Sequence, residues 1–167
     1  MKNTRRFISA VMALAMVSAI APMSAFATDI NQDTPDPKEG TMNVTYSVDP
    51  TYTVTIPASV TLGNDSTISV KDVNLATGKK ILVKLTGAAN TVTGTNFTVK
   101  TADETPATAT YQVQKSGTAL KLGDTAYEFD YDGETKTGSG TLTFTEPTDA
   151  KFAGTYTDQL TFTISVE

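Results

Sequence analysis

Acidic side chains are the best-supplied chemical groups of this chain, and Asp130-Tyr-Asp132-Gly133-Glu134 gathers three of them around a glycine. Carboxylates spaced about a Gly turn are what an oxygen-rich calcium loop uses, so Asp130, Asp132 and Glu134 form a candidate calcium site. The same residues also spell a hairpin turn, because Asp-Gly favours the mirror-image turns that match strand twist. Nucleophilic and general-base chemistry finds little material. The 167 residues include no Cys and no His, which removes thiolates, imidazole bases and disulfides. A nucleophile would need a Ser-Lys or paired-carboxylate arrangement, and no such constellation stands out at a loop. The expectation is therefore no catalytic residue, no cofactor and no enzyme.

The elements that must position these groups begin after a leader. Residues 1–27 read as a secretory signal peptide. Lys2, Arg5 and Arg6 form a basic head, about fifteen apolar residues run from Phe7 to Ala21, and Ala25-Phe26-Ala27 is an A-x-A cleavage site. That run is shorter than the roughly twenty residues of a membrane span. The protein is expected to be secreted and not membrane-spanning once the signal is cleaved. In residues 28–167, ten lysines face eighteen aspartates and glutamates, a net charge of −8. Such a surface repels phosphate backbones, so nucleic acid is excluded as a partner. Without disulfides the domain must rely on its core, and 140 residues suffice for one.

Threonine makes up 31 of those 140 residues and falls mostly between apolar ones. A β-branched hydroxyl residue suits the wet face of a strand. Residues 28–40 are polar, hold Pro35 and Pro37, lack periodicity and read as a flexible leader. Alternation then takes over. Met42, Val44, Tyr46 and Val48 predict a first strand, and Tyr52, Val54 and Ile56 predict a second across the turn at Asp49-Pro50. The pattern continues through Ile68 and Val70, Ile81 to Leu85, Phe97 and Val99, Tyr111 and Val113, Tyr127 to Tyr131, and Leu142 and Phe144. Turn signals at Ser116-Gly117 and Asp132-Gly133 separate them. Eight to ten short strands and no helical period after residue 27 predict an all-β fold, a single Ig-like antiparallel β-sandwich over residues 41–167.

The strictest alternation comes last. Leu160, Phe162, Ile164 and Val166 point one way and Thr161, Thr163 and Ser165 the other. Complete burial of those four apolar side chains would contribute about 6–12 kcal/mol. That is comparable to the net stability of a small domain, so this closing strand is expected to organise the core. Tyr156, after Gly154-Thr155, is placed either for a tyrosine corner or for the rim of the sandwich.

The run Ala153-Gly-Thr-Tyr-Thr-Asp-Gln-Leu-Thr-Phe-Thr-Ile164 resembles the closing strand of WxL-type cell-surface proteins of Gram-positive bacteria. Gly78-Lys-Lys-Ile81-Leu82-Val83 sits where the first Trp-x-Leu of that family falls, with Ile81 in place of the Trp. Phe162 and Ile164 stand where the family's ending has Trp and Leu. The ending is similar as well to the last strand of spore-coat-U and fimbrial pilin subunits. These resemblances imply cell-wall or other surface components as partners. They also imply strand exchange between copies, with Met42, Val44, Tyr46 and Val48 as the inserted row; the plainer expectation pairs that strand within its own domain. The function expected is that of a non-enzymatic, secreted or cell-surface structural or adhesive protein, such as a pilin-like or wall-associated subunit. The alternative is a small carbohydrate- or peptidoglycan-binding module that stacks sugars on exposed tyrosines.

Overall fold

The computed structural model describes residues 30, 32–33, 36, 38–40 and 42–167, so the signal peptide expected over residues 1–27 lies outside the described residues. Among the described residues there is no helix, and eleven strands carry the fold. β1 (Thr51–Thr55), β2 (Asp65–Asn74) and β3 (Lys80–Ala88) come first, then β4 (Val92–Thr93), β5 (Asn96–Lys100) and β6 (Thr108–Tyr111). β7 (Val113–Lys115), β8 (Thr118–Ala119), β9 (Thr125–Asp130), β10 (Gly138–Phe144) and β11 (Leu160–Val166) follow. Every pairing is antiparallel. The sheets are ordered β1-β2-β10-β7-β8, β11-β3-β9 and β4-β5-β6. The architecture is the all-β antiparallel sandwich that the alternation predicts.

Local sequence explains how the strands connect. Ser116 and Gly117 both take positive φ, 50° and 78°, as the two-residue mirror-image turn between β7 and β8 requires. β6 and β7 are one run of chain broken at Gln112, which passes from the small sheet to the large one. There the Gln112 N–H donates to Thr145 Oγ1 (2.8 Å) and the Gln112 carbonyl accepts from the Thr145 N–H (3.0 Å). Asp72 sits at φ 55° where β2 slips by one residue against β1, a bulge that turns the sandwich's edge.

The core fills the space between the large sheet and the β11-β3-β9 sheet. Ile81, Val83 and Leu85 of β3 are completely buried and join Ile68, Val70, Leu142 and Phe144 of the large sheet in one cluster. Gly138 and Gly140 let β10 approach β9 closely, since a methyl group at Gly138 would overlap the Phe129 ring and the Tyr127 hydroxyl, and one at Gly140 the Tyr127 ring. Phe97 stacks at a tilt on Tyr111 with ring centroids 5.7 Å apart, which ties the small sheet to the same core.

Two expectations change. Residues 42–48 form no strand; the first strand begins at Thr51, and Asp49-Pro50 marks the entry into the sandwich, not a turn between strands. Alternation supplies an apolar face, but a strand also needs a hydrogen-bonded partner, and residues 42–48 run along none. The second change concerns the closing strand. β11 lies at the edge of its sheet, and Leu160, Phe162, Ile164 and Val166 are half-buried where full burial was expected. The strand with the buried row is its neighbour β3, where Ile81, Leu82, Val83 and Leu85 are covered.

The direction of these strands matters for the site. β1 starts opposite Asn74, and β11 finishes with Val166 opposite Ile81. Tyr131 joins those two places, donating its hydroxyl to Asn74 Oδ1 (3.3 Å) and its N–H to the Lys79 carbonyl (3.4 Å). Residues 42–50 therefore leave the sandwich at the end where β11 finishes.

Candidate functional site

At the opposite end the sandwich is open. Pro57, which cannot donate to a ladder, ends the run of β1, and residues 56–62 become one wall of a groove. The other wall is the connection from β10 to β11, residues 145–159, longer than most connections inside a compact domain. The groove between them has a volume of about 900 Å³ and is lined by Ile56, Val60, Leu62, Phe144, Leu160 and Phe162. Phe152 stands on its rim, 68% exposed.

Polar side chains hold one wall of the groove, the 145–159 connection, in place. Asp158 accepts the Tyr111 hydroxyl at 2.9 Å and the Asn90 N–H at 3.0 Å, while Asn90 Nδ2 donates to the Thr157 carbonyl at 2.9 Å. Burial, and after it the hydrogen bond to Asp158 and its charge, push the Tyr111 phenol well above its ordinary range. Lys100 and Thr157 exchange backbone bonds of 3.0 and 2.8 Å, which pins the connection to the small sheet. Asp149 accepts the N–H and the hydroxyl of Thr110, both at 2.8 Å, and these bonds hold its carboxyl below the usual range. The Tyr156 hydroxyl donates to the Phe152 carbonyl four residues upstream at 2.9 Å, the bond a tyrosine corner makes.

The two apolar rows singled out in the sequence end up in different places. Leu160 and Phe162 line the groove, and Ile164 and Val166 continue the row along β11. β11 pairs with β3, and its other edge has no strand beside it among the described residues. Met42, Val44, Tyr46 and Val48 lie on the surface, 84%, 87%, 92% and 60% exposed.

The acidic loop does not assemble as a metal site. The Asp132 carboxylate accepts the Thr135 hydroxyl (2.7 Å), the Thr135 N–H (2.6 Å) and the Glu134 N–H (2.9 Å). Those bonds, the Thr135 hydroxyl first, lower its pKa to about 2. Asp132 thus closes the turn at Gly133 (φ 94°). Among the described residues no group of three His, Cys, Asp or Glu is placed to hold a metal ion, so Asp130, Asp132 and Glu134 are not brought together. Also among the described residues, no helix is long and apolar enough to cross a membrane.

The groove itself was not visible in the sequence as a site. In the sequence Val60 and Leu62 are only an apolar pair before the turn at Gly63, and Phe152 has no apolar alternation around it. Nothing in the spacing said that the two segments would face one another. No protein-family model, no curated protein and no solved structure matches the chain.

Proposed function

We propose that this is a non-enzymatic structural or adhesive protein, exported to the cell surface, which works by presenting apolar surface to a partner. The observation that carries this reading is the uncharged row Met42, Val44, Tyr46 and Val48, held in water at the end of an ordered sandwich. Single exposed apolar residues are ordinary, but four large ones exposed within seven residues suit an interaction surface. The polar groups nearest the groove are engaged in holding the 145–159 connection in place, a role that suits a rigid module. The wall-associated or pilin-like role implied by the resemblance of the ending belongs to the same reading.

The test is surface exposure. In a Gram-positive host expressing the full chain, brief protease treatment of intact cells should remove the protein, while a cytoplasmic marker survives. A protein that resists until the cells are lysed would overturn the reading. A second reading, a carbohydrate- or peptidoglycan-binding module, draws on Tyr46 and Phe152 as exposed rings available for stacking. Retention on purified wall or a glycan array, lost in Phe152→Ala, would favour it over assembly.

A further inference from the structure

We propose that the open groove binds a small molecule with an apolar chain and a cationic head. Its volume, about 900 Å³, falls within the span of small-molecule sites, about 300–1,000 Å³. The floor reaches the core: Ile68, Val99 and Leu142 line it, and none of them is more than 3% exposed. Tyr111 lines it too, with its hydroxyl already given to Asp158. A carbon chain laid on this floor leaves water for apolar contact, and the gain grows with the area it covers. The site is separate from the exposed row at residues 42–48, on which the surface-protein reading rests, so either can fail without the other.

Charge selects the head group. The lining includes two carboxylates, Glu146 and Asp158, and no Lys or Arg. Asp158 is engaged through both oxygens, by the Asn90 N–H and the Tyr111 hydroxyl. Glu146 is exposed, and among the described residues it accepts no hydrogen bond and makes no ion pair. It stands against Gly63, where the two walls meet. Lys151, on the same wall, serves Asp149 and helps to lower the pKa of that carboxyl. The wall also brings Phe152 and Tyr156 to the groove, and aromatic faces attract cations. A free carboxylate and aromatic rings with no cation in the lining suit an ammonium group. The same features oppose a fatty-acid carboxylate, as does the net charge of −8 over residues 28–167. The ligand therefore enters tail first and leaves its head at the mouth.

Residues 28–167 contain every strand of the sandwich and serve for the test. The probes are decyltrimethylammonium, decanoate and tetramethylammonium, the first two below their micelle concentrations. Backbone amide shifts of isotope-labelled protein are followed residue by residue. Decyltrimethylammonium should move residues 56–62 and 145–160 saturably. Decanoate should bind about tenfold more weakly, because an attraction is replaced by a repulsion. Tetramethylammonium, which has the head without the chain, should leave the groove unmoved at the same concentration. Glu146→Gln should weaken the cation about threefold, and Glu146→Lys should abolish or reverse the preference over decanoate. Position 146 is exposed, so melting should be unchanged in both variants and a folding failure does not confuse the result. Equal affinity for cation and anion in the parent protein would overturn the proposal, since apolar contact alone would then account for binding. So would shifts confined to residues 42–48, or no saturable shift with either ten-carbon probe.

Discussion

Residues 42–48 and β11 are nearly the same sequence device. Each is seven residues long, each alternates four apolar side chains with small polar ones, and each carries an aromatic ring within the row. One is paired along β3 and packed against the core; the other lies in no sheet and faces water. The difference is where the chain lies. β11 runs back along β3, while the chain before Thr51 leaves the sandwich at the end where β11 finishes and runs along no strand, although β1 and β11 both keep an open edge among the described residues. An apolar face is thus a local property of a segment, whereas its burial is decided by whether the chain's path brings it alongside a partner strand.

The comparison can be broken most forcefully by deletion. Removing residues 160–167 strips β3 of one of its two partners and uncovers one side of the row Ile81, Val83 and Leu85, so cooperative unfolding should vanish from a calorimetric scan. Next come truncations that rank the strands. Leu85→Ala, at a fully buried site, should cost about 2–5 kcal/mol by denaturant titration. Phe162→Ala, on the half-covered row, should cost about 1–2 kcal/mol, a part of what complete burial of such a side chain is worth. Tyr46→Ser should stay within about 0.5 kcal/mol of the parent. Equal losses at Phe162 and Tyr46 would erase the distinction between the two rows. Gly140→Val tests the close approach of β10 to Tyr127 and should destabilise by about 1–3 kcal/mol through overpacking.

The smallest effect belongs to the acidic loop. The folded pKa of Asp132 is lowered to about 2, below the ordinary carboxylate value near about 3.9. Its contribution to stability is therefore present above the unfolded value and is lost as pH falls through the folded one. Asp132→Ala should lower the melting temperature slightly at neutral pH, and the gap should close between about pH 4 and pH 2. A gap independent of pH would assign the effect to the turn's shape instead of its charge.

Much of the fold was legible because each strand carries its own pattern. The alternations at Ile81 to Leu85 and at Phe97 and Val99, and the turn residues Ser116-Gly117, sit where the strands and their hairpin form. Other features depend on distant neighbours and leave no local mark. Gly138-Ser-Gly140 reads as a loop, yet it is the start of β10, because the missing side chains make room for the Tyr127 and Phe129 rings. The exchange of sheets at Gln112 rests on a bond to Thr145, thirty-three residues away. The groove is least visible of all. Its walls, residues 56–62 and 145–159, are apart in sequence and meet only through the strands between them.

The most direct measurement is amide hydrogen exchange on residues 28–167 across a dilution series, resolved to segments. In the dilute limit, residues 42–48 should exchange without protection while β3 and β11 are protected. Protection of residues 42–48 comparable to that of β11, or loss of protection over β3 and β11 as well, would contradict the account.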